Sequence, residues 1–212
     1  MSEESIVIVP KDAENLKLPD PTLRREYFDI DNRVIYLEGE IGGDDDPLDR
    51  NSLGIAKTII EYNRDDRGIP NEKRKPIKIF INSIVGDALG TLILVNVIAL
   101  SKTPVYTINL CQASSAAGYV LASGHKRFAL PGTSVLIHSG SVYYGGDREK
   151  VDTARKHLDK LTKGLNDMLS ERTNIDQKTF KARAPKEWYL DAEECVKYGV
   201  VDKIVESIDE IL

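Results

Sequence analysis

Short runs of β-branched residues alternate along this chain with longer apolar segments of helical spacing, and this alternation restricts the fold more than any other feature. The runs predict strands at residues 33–38, 77–81, 105–110, 127–130, 134–138 and 200–205. The segments between them predict helices at residues 51–62, 88–101, 114–123, 148–172 and 191–198, with a short helix from 176. Strands that alternate with helices pair in parallel, so we expect an α/β fold, a mainly parallel sheet with flanking helices.

Three of the predicted helices differ in how their apolar and small residues are distributed. The segment 88–101 is apolar nearly all round, which indicates a buried helix. The segment 114–123 is rich in small residues and is also expected to be buried. The segment 148–172 has its apolar residues on one face and predicts a single long amphipathic helix.

Length and composition limit the number of domains and the kinds of partner. The 212 residues, 41% of them hydrophobic, suffice for one well-buried domain and are too few for two. Residues 1–26 mix charges and prolines without periodicity, so they predict an N-terminal arm before a single domain at 27–212. A net charge of −5, with acidic and basic residues well mixed, argues against a nucleic-acid partner.

Signals for export, membrane insertion and metal binding are missing from the sequence. The first twenty residues hold an apolar stretch of only five residues between acidic flanks, unlike a secretory signal. The longest apolar stretch, residues 92–100, is too short to span a bilayer. Cys111 and Cys195 lie far apart and match no metal-ligand spacing. We therefore expect a soluble, cytoplasmic protein with no membrane contact and two buried or idle thiols.

Candidate catalytic groups follow from the predicted sheet, because parallel folds gather their active site where strand ends meet helix starts. Two turns satisfy this condition, one ending near Gly86 and the other at Ser115. Ser115 begins a helix directly after a strand, although Ser114 competes with it and either serine can be a plain helix cap. His138 alone among the histidines ends an apolar strand, and a glycine at position 86 lets a backbone N–H approach a substrate. Each of these signals is ambiguous by itself.

Four motifs occur together in the order found in one protein family. They are INS-x-x-G at residues 81–86, QASSAAGYVLASGHKRFALP at 112–131, IH at 137–138 and WYLDAEECVKYGVVDKI at 188–204. With these motifs, the chain from about Arg33 to Ile204 resembles the Clp protease proteolytic subunit. The resemblance implies a Clp protease/crotonase-like fold in which the helix at 148–172 is a handle that joins two rings.

The resemblance also implies residue roles, an activity and an assembly. Ser115 corresponds to the nucleophile, His138 to the general base, and Gly86 and Ala116 to the positions whose backbone N–H groups form the oxyanion hole. The implied activity is that of a serine-type, ATP-dependent endopeptidase that cleaves unfolded polypeptides or short peptides through an acyl-enzyme, without a metal or organic cofactor. The implied assembly is a homo-oligomer of stacked heptameric rings, and the implied partner is an AAA+ unfoldase.

The sequence departs from the family pattern at the third catalytic residue, which is an aspartate in the family. An ungapped alignment from the C-terminal motif puts Arg183 at this position, and arginine can neither hold the histidine tautomer nor stabilise imidazolium. Asp176, Glu187 or Asp191 can substitute if the loop is shifted. Asp191 also fits the simpler role of a helix cap, which is the interpretation we favour.

Other departures concern the substrate groove and the docking face. The family's S-P-G-G turn is replaced by Ser-Ile-Val-Gly at residues 83–86, and the Gln-Pro after the base is missing. The chain between Tyr27 and Arg33 is shorter than in the family, and a loop is added at residues 64–75. These differences argue against coupling to an unfoldase more than against the fold. Three hypotheses stay open: an active serine endopeptidase, a catalytically weakened Clp-like ring subunit with a structural or regulatory role, and a crotonase-type hydratase or isomerase acting on acyl-CoA.

Overall fold

The computed structural model describes residues 24–42 and 52–212, with side chains from residue 28 onward. Helix α1 (Arg24–Asn32) belongs to a unit of its own, and Arg33–Leu212 forms a second compact unit. The sequence pattern does not predict α1. The predicted arm, residues 1–26, lies outside the described residues except for the last three, which begin α1, and the predicted boundary before residue 27 stays a prediction.

The second unit alternates strands and helices, so the predicted α/β class is confirmed. Its strands are β1 (Val34–Ile41), β2 (Ile77–Gly86), β3 (Val105–Ser114), β4 (Lys126–Ala129), β5 (Ser134–Ile137), β6 (Trp188–Asp191) and β7 (Lys203–Ile204). Its α-helices are α2 (Ser52–Asp65), α3 (Ala88–Leu100), α4 (Ala116–Ser123), α5 (Arg148–Arg172), α6 (Gln177–Arg183) and α7 (Ala192–Lys197). Short 3₁₀ turns lie at Asn71–Lys73, Ala184–Lys186 and Ile208–Glu210.

The strands of the described chain form one sheet that branches at β3. Its main path is β1-β2-β3-β4-β7, with β5 paired to β3 and β6 paired to β5. All pairings are parallel except that of β5 with β6. The first half of β3 pairs with β4, and its last three residues pair with β5. The branch therefore brings the end of β5 next to the C-terminal end of β3.

Strands β2 and β3 extend further than the sequence predicts. The sharp turn predicted at 82–87 is wrong, because β2 continues to Gly86, where it pairs with Ile41 of β1. The predicted start of the next helix at Ser114 is also wrong, because Ser114 still pairs with Leu136 of β5 and α4 begins at Ala116. Both strands are prolonged by neighbours that are distant in the sequence.

The core lies on both faces of the sheet. Alternate residues of β2 point to opposite sides, so Ile79 and Ile81 join a large cluster with α2, α3 and α4, while Phe80 joins a smaller cluster with Ile108. Burial on both faces explains why the strands are almost continuously apolar.

Helix α4 is buried as predicted, but α3 is buried on only one face. Seven of the eight residues of α4 are buried. Helix α3 buries Leu94 and Ile98, whereas its Leu89 and Leu100 are 60% and 83% exposed. The prediction of a buried helix at 88–101 is therefore wrong for the outer face of α3. Over residues 24–42 and 52–212, no helix is long and apolar enough to cross a membrane.

Two arginines fasten the C-terminal end of α5 to the rest of the domain. Arg172 donates hydrogen bonds to the carbonyls of Ala122 and Gly124, at the end of α4, at 3.1 and 2.6 Å. Arg127 donates to the carbonyl of Arg172 at 2.7 Å and forms an ion pair with Asp202 at 2.5 Å. These bonds hold α5 against α4, the helix that follows the candidate nucleophile.

Candidate active site

Ser115 occupies the single position between β3 and α4. Its φ of 58° and ψ of −120° lie outside the regions that residues with a Cβ ordinarily adopt. Its N–H donates to the carbonyl of Leu136 at 2.9 Å, and its own carbonyl accepts from the N–H of Gly118 at 3.0 Å. Strand β5 and the first turn of α4 thus enforce the sharp strand-to-helix turn that is typical of a nucleophile elbow.

The side chain of Ser115 does not cap α4. It makes no hydrogen bond to the first turn of the helix, and its Oγ instead lies 2.7 Å from Nε2 of His138. The competing serine, Ser114, is 1% exposed, and its hydroxyl has no hydrogen-bond partner among the described residues. Of the two serines, Ser115 is the one whose hydroxyl meets a base.

His138 is the first residue after β5, and the pairing of β5 with β3 positions it. Ser114 pairs with Leu136, so the residues that follow, Ser115 and His138, lie at the same end of the two strands. A neutral imidazole with its proton on Nδ1 accepts the serine proton at Nε2. The arrangement is that of a nucleophile next to its base.

Gly86 and Ala116 lie against each other beside this pair. A Cβ built on Gly86 would be 2.8 Å from the Cβ of Ala116 and 2.6 Å from that of Ile41, so only glycine fits without displacement. Ala116 is the first residue of α4, where backbone N–H groups lack partners within the helix. All four residues predicted for the site, including Ser115 and His138, line one cavity.

Two of the acids considered from the sequence serve as helix caps. Asp176 accepts a hydrogen bond from the N–H of Thr179 at 2.6 Å at the start of α6, and this hydrogen bonding lowers the pKa of Asp176. Asp191 caps α7 through a reciprocal capping box with Glu194. The interpretation of Asp191 as a cap is confirmed.

Glu187 directly precedes β6 in the chain, but the sheet register does not extend to it. The antiparallel pairing of β5 with β6 ends with Ile137 opposite Trp188, and Glu187 leaves the strand conformation with a φ of 53°. Beyond the paired residues, the N–H of Ser139 donates to the carbonyl of Ala184 at 3.2 Å. The guanidinium of Arg183 lies 5.9 Å from the centre of the Trp188 ring. Within the described residues, however, no carboxylate hydrogen-bonds to His138. Glu187 is therefore a candidate for the acid only by its place next to β6 in the chain, whereas Arg183 carries no carboxylate.

A cavity of about 640 Å³ opens beside Ser115 and His138. Its walls come from the end of β2, the start of α3, α4, the loop after β5 and one face of α5. The lining is mainly apolar and includes Leu89, Leu158 and Leu165. A cavity of this size and character beside a nucleophile is suited to hold a substrate side chain.

Sequence reasoning missed two polar residues of this cavity, Tyr119 and Asn166. The hydroxyl of Tyr119 donates to Oδ1 of Asn166 at 2.7 Å. Tyr119 follows Ser115 by four residues, a spacing that places both on one side of α4 and that was available as a signal. Asn166 belongs to α5, and nothing in its local sequence connects it to the site.

The two cysteines take no part in this site. Cys111 and Cys195 are both free thiols, and burial raises the pKa of Cys195 to about 12, which makes it a poor nucleophile. Across the part of the chain that the structure describes, no three His, Cys, Asp or Glu side chains are grouped so that they can hold a metal ion.

Comparison with known proteins identifies the family. The model of the Clp protease family matches residues 70–208, which include Ser115 and His138 and begin later than the predicted start of the resemblance near Arg33. The ATP-dependent Clp protease proteolytic subunit 2 of Treponema denticola is 33% identical over 139 residues, 65% of this chain and 70% of that protein. With this match and the fold described above, the chain belongs to the Clp protease family.

Proposed function

We propose that this chain is the subunit of a serine endopeptidase that cleaves unfolded polypeptides or short peptides inside an oligomeric chamber. Ser115 is the nucleophile and His138 is the general base. The observation that carries the proposal is the 2.7 Å distance between Ser115 Oγ and His138 Nε2, at a strained strand-to-helix turn beside a cavity.

Acyl-transfer chemistry accounts for both side chains. Ser115 Oγ attacks the carbonyl carbon of the scissile peptide while its proton passes to His138 Nε2. The imidazolium then gives that proton to the leaving amine, and an ester at Ser115 remains. Water attacks the ester with His138 again as base, which releases the acid product and restores the serine.

The backbone N–H groups of Gly86 and Ala116 are the proposed oxyanion donors. Their mutual contact beside Ser115 supports this role, as does the absence of a side chain at position 86 that would keep a substrate oxygen away. Donors of this kind act where negative charge develops in the transition state.

Glu187 is the proposed carboxylate behind His138. Its support is its place directly before Trp188, which pairs with Ile137, the residue before His138. A carboxylate in this place orients the imidazole and stabilises its protonated form. Because no hydrogen bond joins the two residues within the described chain, Glu187 acts as a positioning residue of modest effect.

Helix α5 supports the proposed chamber. It has 25 residues, but buries only Leu165 and Leu169, which lie toward its C-terminal end. Its length is roughly 37 Å at 1.5 Å per residue. Val151 and Leu161 on its apolar face, which do not line the cavity, stay partly exposed in the single chain. An apolar stripe of this kind is suited to a second copy, and we assign α5 as the handle between stacked heptameric rings.

An AAA+ unfoldase is the proposed source of unfolded substrate. The relative from Treponema denticola is named as ATP-dependent, and we extend that dependence to this chain as part of the proposal. The location in the cytoplasm stays a prediction.

A second candidate function, a weakened ring subunit with a structural or regulatory role, is favoured by one observation. No carboxylate within the described residues hydrogen-bonds to His138. Loss of the acid lowers the rate by about 10⁴ in the well-studied triad. A crotonase-type hydratase or isomerase, the third hypothesis from the sequence, does not fit a chain that belongs to a peptidase family.

Labelling with a fluorophosphonate probe tests the nucleophile. We expect the probe to modify Ser115, and Ser115→Ala to lose both labelling and hydrolysis of a fluorogenic peptide. Ser114→Ala is the matched control and should retain both activities, because the hydroxyl of Ser114 is buried and unpartnered in the described chain. Labelling that maps to Ser114 would contradict the assignment, and wild-type hydrolysis no faster than that of Ser115→Ala would leave only the structural role.

A further inference from the structure

A polar pair, Tyr119 and Asn166, lines the cavity among mainly apolar residues, and we refer to this pair as the floor of the cavity. The hydroxyl of Tyr119 donates to Oδ1 of Asn166, and both residues line the cavity together with Ser115. Tyr119 lies one turn after Ser115 on the same side of α4, whereas Asn166 belongs to α5. The hydrogen bond between the two residues therefore connects α4, which follows Ser115, to α5.

This pair leaves hydrogen-bonding capacity for a ligand. A tyrosine hydroxyl that donates one hydrogen bond can still accept another, and an asparagine amide has two N–H groups on Nδ2. Among the described residues, Nδ2 of Asn166 has no acceptor and Oη of Tyr119 has no donor. Burial raises the pKa of Tyr119, so its hydroxyl stays protonated and keeps Oδ1 of Asn166 engaged. The floor thus offers N–H donors next to an oxygen acceptor.

The surroundings of the pair favour an uncharged ligand. Leu158 and Leu165 of α5 provide apolar wall, and the hydroxyl of Thr162 donates to the carbonyl of Leu158 at 2.9 Å. Asp87 is the acid that lines the cavity, and it caps α3 through the N–H of Gly90 at 2.7 Å. A negatively charged side chain would lose its hydration in this cavity and meet the charge of Asp87.

We propose that this floor selects substrates in which the side chain before the scissile bond ends in a primary carboxamide, with glutamine preferred. The inference rests on the peptidase function proposed above and adds a substrate class to it. The carboxamide oxygen accepts from Nδ2 of Asn166, its NH₂ group donates to Oη of Tyr119, and its methylene groups lie against Leu158 and Leu165.

Two side chains of similar length allow a strict comparison with glutamine. Methionine fills the same space but leaves the polar floor unpaired, which costs binding because buried donors and acceptors lose their water. Glutamate has the same shape as glutamine but has no N–H for Tyr119 and carries a charge that must be desolvated. Recognition by paired hydrogen bonds therefore predicts that a substrate with glutamine is cleaved faster than one with methionine or glutamate at the same position.

The test uses the full-length, assembled protein and three fluorogenic peptides that differ only in Gln, Met or Glu before the scissile bond. We expect kcat/KM to be highest for the Gln peptide, and Tyr119→Phe to lower the Gln-to-Met ratio of kcat/KM about tenfold, since one hydrogen bond is lost. Asn166→Asp, which removes the N–H donors, should also lower that ratio. Tyr106→Phe is the matched control, because Tyr106 packs on Phe128 away from the cavity and its change should leave the ratio unaltered.

Each outcome separates the inference from the function on which it rests. Ser115-dependent hydrolysis without a preference for Gln over Met, or an unchanged ratio in Tyr119→Phe, overturns the inference and leaves the peptidase in place. No Ser115-dependent hydrolysis of any of the three peptides overturns both. If Tyr119→Phe does not fold, as judged by its thermal unfolding, the ratio in Asn166→Asp decides instead.

Discussion

The two sides of His138 are built in different ways. On the serine side, the parallel pairing of β3 with β5 and the hydrogen bond from Ser115 N–H to the Leu136 carbonyl define the position of the proposed nucleophile. Close contact of Gly86 with Ala116 completes that side. The acid side consists of the short helix α6, a 3₁₀ turn and the four-residue strand β6, and within the described chain it brings no carboxylate into hydrogen bonding with His138.

This difference shows which parts of the site can change without loss of the rest. The serine side depends on backbone hydrogen bonds and on contacts too close for an added methyl group, so we expect changes at Ser115 or Gly86 to remove most of the activity. The acid side makes no hydrogen bond to His138 within the described chain, so we expect smaller, graded losses there. The following variants test that contrast.

Gly86→Ala should have the largest effect, because its new Cβ would lie within 3 Å of Ile41 and Ala116. We expect kcat/KM for a fluorogenic peptide to fall about 100-fold, as when one oxyanion donor is displaced. Gly164→Ala on α5 is the matched control, since a Cβ there meets nothing within 4 Å. It should keep the activity and raise the free energy of unfolding by about 0.5–1 kcal/mol. Equal activities of the two variants would contradict a rigid serine side.

Glu187→Gln should lower kcat about tenfold, well short of the ~10⁴ of a fully engaged triad, because the carboxylate is not hydrogen-bonded to His138. The midpoint of thermal unfolding should stay at the wild-type value, because Glu187 is an exposed residue. A loss of rate that follows a loss of stability would instead mean that the role of Glu187 is purely structural. Arg183→Asp is the comparison variant and should change the rate little; a large gain in rate would instead assign the acid position to residue 183.

The cap residues should affect stability and leave the rate unchanged. Asp191→Ala should lower the free energy of unfolding by about 1 kcal/mol, through loss of the capping box of α7. The folded pKa of Asp176 is lowered, so its contribution is present above the ordinary carboxyl pKa and is lost as the pH falls through the folded value. Asp176→Asn should therefore flatten the stability curve in acid. A drop in kcat for either variant would mean that a cap also serves His138.

Local patterns were sufficient to predict most of the fold. Periodicity located the strands and helices of the second unit, because most of them bury a regular stripe or run of apolar residues. Periodicity failed where pairing between strands that are distant in the sequence determines the structure. Strands β2 and β3 are prolonged by pairing with Ile41 and Leu136. Strand β6 was not predicted, and it pairs with β5. Periodicity also failed for α3, because apolar character does not tell whether a face is covered by the same chain.

The candidate site was predictable where its residues lie in contiguous motifs. Ser115 and His138 were named from short segments, and the structure brings them together. The acid position was not, since an ungapped alignment led to Arg183, and within the described residues no carboxylate hydrogen-bonds to His138. Asn166 could not be predicted for a related reason. Its hydrogen-bond partner, Tyr119, lies 47 residues earlier in the chain.

The backbone at Ser115 also has a consequence for how natural selection acts on this chain. A residue with a Cβ held at a φ of 58° costs the folded state of order 1 kcal/mol or more, whereas glycine adopts this conformation freely. A lineage selected for folding stability alone would gain by exchanging this serine for glycine. Serine at this position therefore lowers the thermodynamic stability of the fold, and in exchange it places a hydroxyl group next to His138.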